Sequence, residues 1–506
     1  MLLVYPPIAK PCEPPAGIAR LAGVLRSQGI AVTVYDANIE GLLALLAAPV
    51  TARDTWSRRA ARHLSANLAA LRAPALYGDA ARYCRAVADV NRLLAVTGAP
   101  RLSLSLANYQ DRQLSPLSSI DLLQAAARPE ENAFYPAFAA RLTRLVEHEQ
   151  PSLVGISLNY LSQALSTFAI LGFLRRRFPG LVTVLGGGLV TSWLSNPAWR
   201  NPFAGLVDHL VAGPGEQPLL SLLGTDDKPP QAAPDYQQLP LADYLAPGRI
   251  LPYAASSGCY WNRCSFCPEK AEENPYHHLA PKRVLAEIDQ LCQATRPTLI
   301  HLLDNAISPA LLAALAASPP GLPWYGFARV SPQLADPDFC RSLAAAGCRM
   351  LKLGIESGDQ GVLDAMDKGI SLPLVSAALA ALRRAGISTY VYLLFGTPPE
   401  NEAAARRTLD FTVRHHEAIT FLNLAIFNMP LASAEAADLM VSPFSANDLS
   451  LYTDFRHPLG WGRREVRRFL DREFSRHPTI AAILRRDPPL FTSNHAPFFP
   501  PTGSRA

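Results

Sequence analysis

The chain lacks any apolar run approaching the roughly 18 residues that a membrane-spanning helix requires, so no membrane span is expected. It begins Met1-Leu2-Leu3-Val4-Tyr5-Pro6-Pro7, with no basic region ahead of a hydrophobic stretch, and no signal peptide is expected. An excess of one charge sign is also missing. The formal net charge is +5 over 506 residues, which gives no argument for a nucleic-acid partner. Runs such as Arg175-Arg176-Arg177 are short and fit solvated helix faces. Evenly placed cysteines are absent. Of the eight, Cys259, Cys264 and Cys267 crowd together while Cys12, Cys84, Cys292, Cys340 and Cys348 stand apart, which excludes a secreted disulfide scaffold. No short repeat period appears, which excludes a solenoid. These absences lead to the expectation of a soluble protein of a reducing cytoplasm.

Apolar residues make up 49% of the chain, ample for sizeable cores, and the length suggests two domains with appendages. The 45 prolines gather in 6–15, 228–247 and 488–501, as punctuation between folded parts.

At the start, Leu2-Leu3-Val4-Tyr5 reads as a strand, 17–28 as a helix with Ile18, Leu21, Ala22 and Leu25 on one face, and 31–35 as a second strand ending at Asp36. Strand, helix, strand within such a length favours a parallel sheet. The same grammar returns at 153–158, 163–177, 182–185 and 209–212, with Gly186-Gly187-Gly188 and Gly213-Pro214-Gly215-Glu216 closing strands. Glycine there lets a backbone approach a ligand, although tight turns demand glycine anyway. An Ala-, Leu- and Arg-rich stretch at about 45–150 reads as a mostly helical insertion.

Residues 225–248, opening with Asp226-Asp227-Lys228-Pro229-Pro230, read as a linker. Beyond it, strands are expected near 250–256, 299–303, 324–329, 350–355, 388–395 and 420–427. Helices fit near 281–294, 310–317, 336–346, 373–385 and 401–414. Six such repeats make a partial barrel over 249–430, with chemistry at the carboxyl ends of its strands. Residues 431–506 are expected to form a helical tail. Within it, Trp461-Gly462-Arg463-Arg464 and Arg467-Arg468 suggest a basic helix face. The stretch 492–499 reads as an apolar strap or as a cover for the barrel mouth.

The chemistry-bearing segment is Gly258-Cys259-Tyr260-Trp261-Asn262-Arg263-Cys264-Ser265-Phe266-Cys267-Pro268, on the loop after the first of these strands. Three thiolates this close can wrap one metal centre. A cubane on three cysteines leaves one iron open for a substrate or cofactor. Zinc is the competing occupant, closed by a fourth ligand such as His277 or His278.

This segment resembles the signature loop of the radical S-adenosylmethionine (SAM) superfamily, whose three cysteines hold a 4Fe-4S cluster. The usual gaps are three and two residues; here they are four and two. The resemblance continues strand by strand. It implies that Phe266 packs by the SAM adenine and that Asp304, in Leu302-Leu303-Asp304-Asn305, meets the methionyl amino group. Arg329, in Ala328-Arg329-Val330-Ser331, would pair with the SAM carboxylate. Glu356, in Gly354-Ile355-Glu356-Ser357-Gly358 with Lys368-Gly369 following, would lie near the ribose or amino group. Gly396 and Pro398, in Phe395-Gly396-Thr397-Pro398, would present backbone to adenine, and Asn428-Met429-Pro430 would close the sixth strand. The implied reaction passes an electron, from a donor such as flavodoxin or ferredoxin, through the cluster to SAM. Cleavage then yields methionine and a 5′-deoxyadenosyl radical that acts on a small-molecule or peptide substrate.

Residues 1–224 resemble the cobalamin-binding domain that precedes the barrel in one large class of the superfamily. The resemblance is carried by Tyr5-Pro6-Pro7, Pro15-Ala16-Gly17-Ile18, Val34-Tyr35-Asp36-Ala37-Asn38, Gly155-Ile156-Ser157, Leu185-Gly186-Gly187-Gly188 and Gly213-Pro214-Gly215-Glu216. It implies a cobalamin touching Ser157, Gly186 and Gly187. The Asp-x-His-x-x-Gly motif that supplies a lower histidine ligand is absent, and no histidine precedes His63. A domain that kept the fold and lost the cofactor stays open. The implied fold class is α/β: a Rossmann-like cobalamin-binding-type domain followed by a partial (β/α)6 TIM-type barrel. The implied activity is that of a radical SAM enzyme, either a cobalamin-dependent methyltransferase or one that catalyses cyclisation or rearrangement. A non-catalytic zinc protein is the alternative of another class.

Overall fold

The computed structural model describes all residues except 52, 197, 226–231, 489–492 and 500–506. The Asp226–Pro230 part of the expected linker and Thr492 therefore lie outside the described residues. The chain divides into two units, Met1–Arg249 with Ser445–Ser450, and Ile250–Phe444 with Leu451–Pro489 and the described tail.

The first unit is built on a parallel five-stranded sheet in the order Thr33–Asp36, Leu2–Tyr5, Leu153–Ser157, Val182–Gly186, His209–Leu210. In chain order this is 2-1-3-4-5, a doubly wound sheet whose direction of winding reverses beside the first strand. Both faces are covered, so the strands read as continuous apolar runs: Leu2, Val4, Val154 and Ile156 are all buried.

The helix Leu161–Arg177 is buried from Gln163 through Leu174, on every face. The insertion explains this, because it covers the side turned away from the sheet. A β-carbon at Gly172 would lie 1.8 Å from the Ala126 carbonyl oxygen, so the helix Ser119–Ala127 packs directly on glycine. Asn132 donates to Ser166 Oγ at 3.2 Å in the same contact. The insertion is mostly helical, as expected, with long helices at Thr55–Leu71 and Ala80–Gly98. It also contains a hairpin, Leu102–Ser105 against Asn108–Asp111, where Leu and Ser alternate with the period of a strand. Ser445–Ser450 joins this unit through Leu449 N–H to the Leu117 carbonyl and Ser119 N–H to Asp448.

In the second unit six parallel strands lie in chain order: Ile250–Tyr253, Leu299–Leu302, Trp324–Ala328, Cys348–Glu356, Ser388–Phe395 and Phe421–Ile426. The first and last are not paired with each other, so this is an open, partial barrel. Helices Pro281–Thr295, Pro309–Ala317, Pro337–Ala345, Leu372–Arg384 and Glu402–Arg414 return the chain between strands. Three of them open on proline at the first position, where its fixed φ suits the helix and its missing N–H costs nothing. The helix expected at 336–346 is two, Pro332–Ala335 and Pro337–Ala345, since Pro337 starts a new helix that Asp336 caps.

Strand residues on one face of this sheet carry aromatic and charged side chains. His301 stacks on Tyr325 at 4.2 Å, and Lys352 Nζ lies 5.0 Å from the ring centres of both Tyr325 and Phe327. Gly354 and Glu356 continue that face toward the carboxyl end.

The tail departs from an all-helical expectation. Met429–Pro430, Val441–Pro443 and Tyr452–Phe455 form a three-stranded antiparallel sheet. Val441, Tyr452, Thr453 and Phe455 are β-favouring residues, and Pro443 limits helix formation. Helices Arg463–Phe469 and Pro478–Leu484 follow. Ser493–Phe498 make a 3₁₀ turn with His495 and Ala496 buried. Asp487 accepts from Tyr390 Oη at 2.9 Å and Arg486 donates to the Ile419 carbonyl, both at the amino ends of barrel strands.

Candidate active site

The first barrel strand ends at Tyr253, sooner than expected. Ser256–Ser257 then pairs antiparallel with His277–His278, which are exposed. The cysteine loop starts from this short ribbon. Ser256 Oγ donates to Asp304 Oδ1 at 2.5 Å, Ala255 N–H donates to Asp304 Oδ2 at 3.2 Å, and Asn305 Nδ2 donates to the Gly258 carbonyl at 3.2 Å. Asp304 is 1% exposed, and burial raises its pKa above the usual carboxylate value. This carboxylate, expected at the methionyl amino group, thus holds hydrogen bonds at the base of the loop. Gly258 has φ +71°, and a β-carbon there would sit 2.5 Å from the Pro275 carbonyl oxygen.

Between Cys259 and Cys264 the chain turns at Asn262, whose φ is +44°. Asparagine tolerates this left-handed conformation better than most residues. The long gap sends Trp261 outward to Arg329, with the guanidinium carbon 4.2 Å from the indole ring. Trp261 Nε1 donates to the Asp367 carbonyl at 3.0 Å. Ser265 N–H donates to the Met366 carbonyl, so the loop docks along 366–369.

All three loop cysteines are free thiols. Cys264 is buried, while Cys259 and Cys267 are half-buried. Cys267 precedes the helical turn Pro268–Ala271 and accepts backbone hydrogen bonds from Glu269 and Lys270. Burial raises the Cys264 thiol pKa, and the nearby cations Lys368 and Arg329 oppose that rise. Arg329 Nη1 lies 3.9 Å from Cys264 Sγ, and Nη2 donates to the Lys368 carbonyl at 2.6 Å. Lys368 Nζ pairs with Glu356 at 2.8 Å and lies 5.3 Å from the Phe266 ring centre. Glu356 has φ +68°, at a register shift in the fourth strand. A side chain at Gly354 would collide with Glu356 and Lys368, so glycine leaves room for the pair.

Gly396, with φ +79°, donates its N–H to Glu400 Oε2 at 2.5 Å, and Trp461 Nε1 donates to the same oxygen at 3.0 Å. His457 Nε2 donates to the Thr397 carbonyl at 2.9 Å. Glu400 is fully buried, which pushes its pKa up to about 7. The turn at 396–398 is thus locked from beneath.

Phe266, Arg329 and Glu356 are brought together with Cys264, whereas Asp304 acts at the base of the loop. Sequence reasoning singled out neither Lys368 as a hub nor Glu400 as a lock. The signal for Lys368 was its place beside Gly369 in the fourth-strand pattern. Glu400 carried none, since it resembles any helix-capping acid.

In the first unit, Ser157 and Gly186 end neighbouring strands. Asn159 Nδ2 donates to Ser157 Oγ at 3.1 Å, and Asn159 Oδ1 accepts from Gly188 N–H at 3.0 Å. Gly187 has φ +108°, and a β-carbon would lie 2.4 Å from the Leu158 carbonyl oxygen. That contact alone requires glycine.

Residues 253–412 match the family model described as the Radical SAM superfamily. By that match the barrel region carries a radical SAM domain. The chain is a radical SAM enzyme, a family whose cluster is iron–sulfur rather than zinc. The match implies a 4Fe-4S cluster, SAM and a reductant. The donor set fits: three free thiols on one loop, with cations against Cys264 and backbone N–H groups at Cys267. Among the described residues no three His, Cys, Asp or Glu side chains converge as a single metal ion requires. A cubane differs from such a site, because each cysteine binds its own iron.

The fold of this radical SAM enzyme is similar to that of the methyltransferase TsrM from Kitasatospora setae with tryptophan substrate and a SAM analogue bound. The TM-score is 0.50 at 18% identity, covering 85% of this chain and 73% of that one. TsrM with cobalamin and a 4Fe-4S cluster bound gives 0.49 at 19% identity, covering 85% and 75%. The cobalamin-dependent radical SAM enzyme OxsB with aqua-cobalamin bound gives 0.44 at 15%, covering 63% and 52%. No curated protein sequence matches the chain. No helix among the described residues is long and apolar enough to cross a membrane.

Proposed function

We propose that this radical SAM enzyme is a cobalamin-dependent methyltransferase acting on a small molecule or peptide. The observation that carries the reading is the pairing, in one chain, of a 2-1-3-4-5 parallel sheet with a radical SAM barrel. TsrM, which shares this fold over most of both chains, is itself a methyltransferase. When bound, the cluster and SAM supply a 5′-deoxyadenosyl radical and cobalamin supplies a transferable methyl group.

The protein's part is to bind and orient these groups. Cys259, Cys264 and Cys267 hold the cluster. Phe266 offers its face to adenine, and the Gly396–Pro398 backbone closes the other side. Glu356, held by Lys368, is placed for the ribose or amino group. Ser157 and the 186–187 turn lie at strand ends, where doubly wound sheets bind ligands. A flavodoxin- or ferredoxin-type donor supplies the electron. One observation favours a second reading, a radical SAM enzyme of another outcome without cobalamin: the Leu158 contact already accounts for Gly187.

Anaerobic reconstitution with iron, sulfide and hydroxocobalamin, followed by gel filtration, tests the choice. A retained cobalamin spectrum, with transfer of labelled methyl from SAM to that cobalamin, supports the methyltransferase. Loss of all cobalamin on the column, with SAM cleavage intact, sinks it in favour of the second reading.

A further inference from the structure

Arg329 is fully engaged. Its guanidinium stacks on Trp261, donates to the Lys368 carbonyl, and directs Nη1 at Cys264 Sγ. Lys368 brings a second cation to the same thiol. One counter-charge, Glu356, pairs with Lys368, while Arg329 forms no ion pair with a carboxylate among the described residues. The side chains of Lys368 and Glu356 are 8% and 12% exposed, so water screens this charge weakly. The Cys264 sulfur therefore faces a net positive field and one N–H donor, in a site that burial has largely dried.

We infer that Arg329 and Lys368 are positioning residues that raise the reduction potential of the cluster through Cys264, rather than holding the SAM carboxylate. The inference rests on the reading that the three loop cysteines carry a 4Fe-4S cluster. Hydrogen bonds to cluster sulfurs and nearby net charge are the levers by which a protein sets such a potential. The step affected is a single-electron one: the oxidised cluster gains one electron from the low-potential donor, and no bond or proton changes. Positive charge beside the thiolate favours the state carrying that extra electron. Trp261 serves this function indirectly, because its ring face and its hydrogen bond to Asp367 fix where the guanidinium lies.

The test is a redox titration of the reconstituted full-length enzyme, followed by electron paramagnetic resonance of the reduced cluster, alongside SAM affinity by equilibrium dialysis. Arg329→Gln and Lys368→Gln should each give a more negative midpoint potential at wild-type iron content. Arg329→Lys, which keeps the charge but loses the planar fork, should fall between Arg329→Gln and wild type. An unchanged potential in Arg329→Gln with weakened SAM binding overturns the inference and returns Arg329 to the SAM carboxylate. Should Arg329→Gln fail to take up iron, Lys368→Gln decides, since it leaves the Arg329 contact in place; an unchanged potential there also overturns it. A wild-type protein that binds no iron would instead defeat the underlying cluster reading.

Discussion

Gly369 exists to admit Trp261. A β-carbon at 369 would lie 2.0 Å from Trp261 Cζ2, and the glycine itself has φ +66°. The indole filling this space also carries Arg329 on its face and bonds to the Asp367 carbonyl. The aromatic of the cysteine loop and the glycine after the fourth strand are thus two halves of one contact.

Gly369→Ala should therefore displace the loop and not merely strain the backbone. The left-handed conformation alone costs alanine about 1–2 kcal/mol, and the collision adds to it. The expected outcome is a lower unfolding temperature and reduced iron per chain after reconstitution. Wild-type iron content in a folded Gly369→Ala protein would show that Trp261 does not organise the cluster loop.

Asp304 and Ser256 should behave as a pair. Ser256→Ala leaves Asp304 with the Ala255 N–H as its remaining anchor from the loop's base. Loss of the hydroxyl should cost about 1–3 kcal/mol and lower iron uptake, as Asp304→Ala does more strongly. If Asp304→Ala instead weakens SAM binding while Ser256→Ala leaves both iron and SAM unaffected, the carboxylate contacts SAM and the anchoring role is wrong.

Glu400 links stability to pH. Burial raises its folded pKa to about 7, from an ordinary glutamate value near 4.5. Between these values the folded chain holds a proton that the unfolded chain has released, so stability falls as pH rises through that window. The difference of about two and a half pH units corresponds to roughly 3 kcal/mol. Glu400→Gln keeps an oxygen to accept from Gly396 and Trp461 but cannot ionise. Its unfolding temperature relative to wild type should climb between pH 5 and pH 8. A constant difference across that range would show that Glu400 stays ionised.

The sheet rhythm of the barrel was legible because short apolar-rich strands alternate with helical stretches of regular length. The Ser388–Phe395 strand appears with the bounds read from sequence. The cysteine loop was legible because its three cysteines lie close together in the chain. The hydrogen bond from Ser256 to Asp304 was not legible, because Ser256 belongs to a different strand end and no local pattern announces it. The split at Pro337 follows from a rule that the apolar periodicity concealed. The tail sheet escaped notice because its strands are short and one is only Val441–Pro443. The burial of the whole Leu161–Arg177 helix depends on the insertion, whose packing no periodicity within the helix reveals.

The central claim is that Cys259, Cys264 and Cys267 hold a 4Fe-4S cluster that cleaves SAM. Anaerobically reconstituted wild type and Cys264→Ala should be compared for iron content and for 5′-deoxyadenosine formed from SAM under a low-potential reductant. The account predicts about four irons per chain and steady 5′-deoxyadenosine release for wild type, and loss of that release in Cys264→Ala. Tight zinc without iron in the wild type, or undiminished 5′-deoxyadenosine from Cys264→Ala, would contradict it.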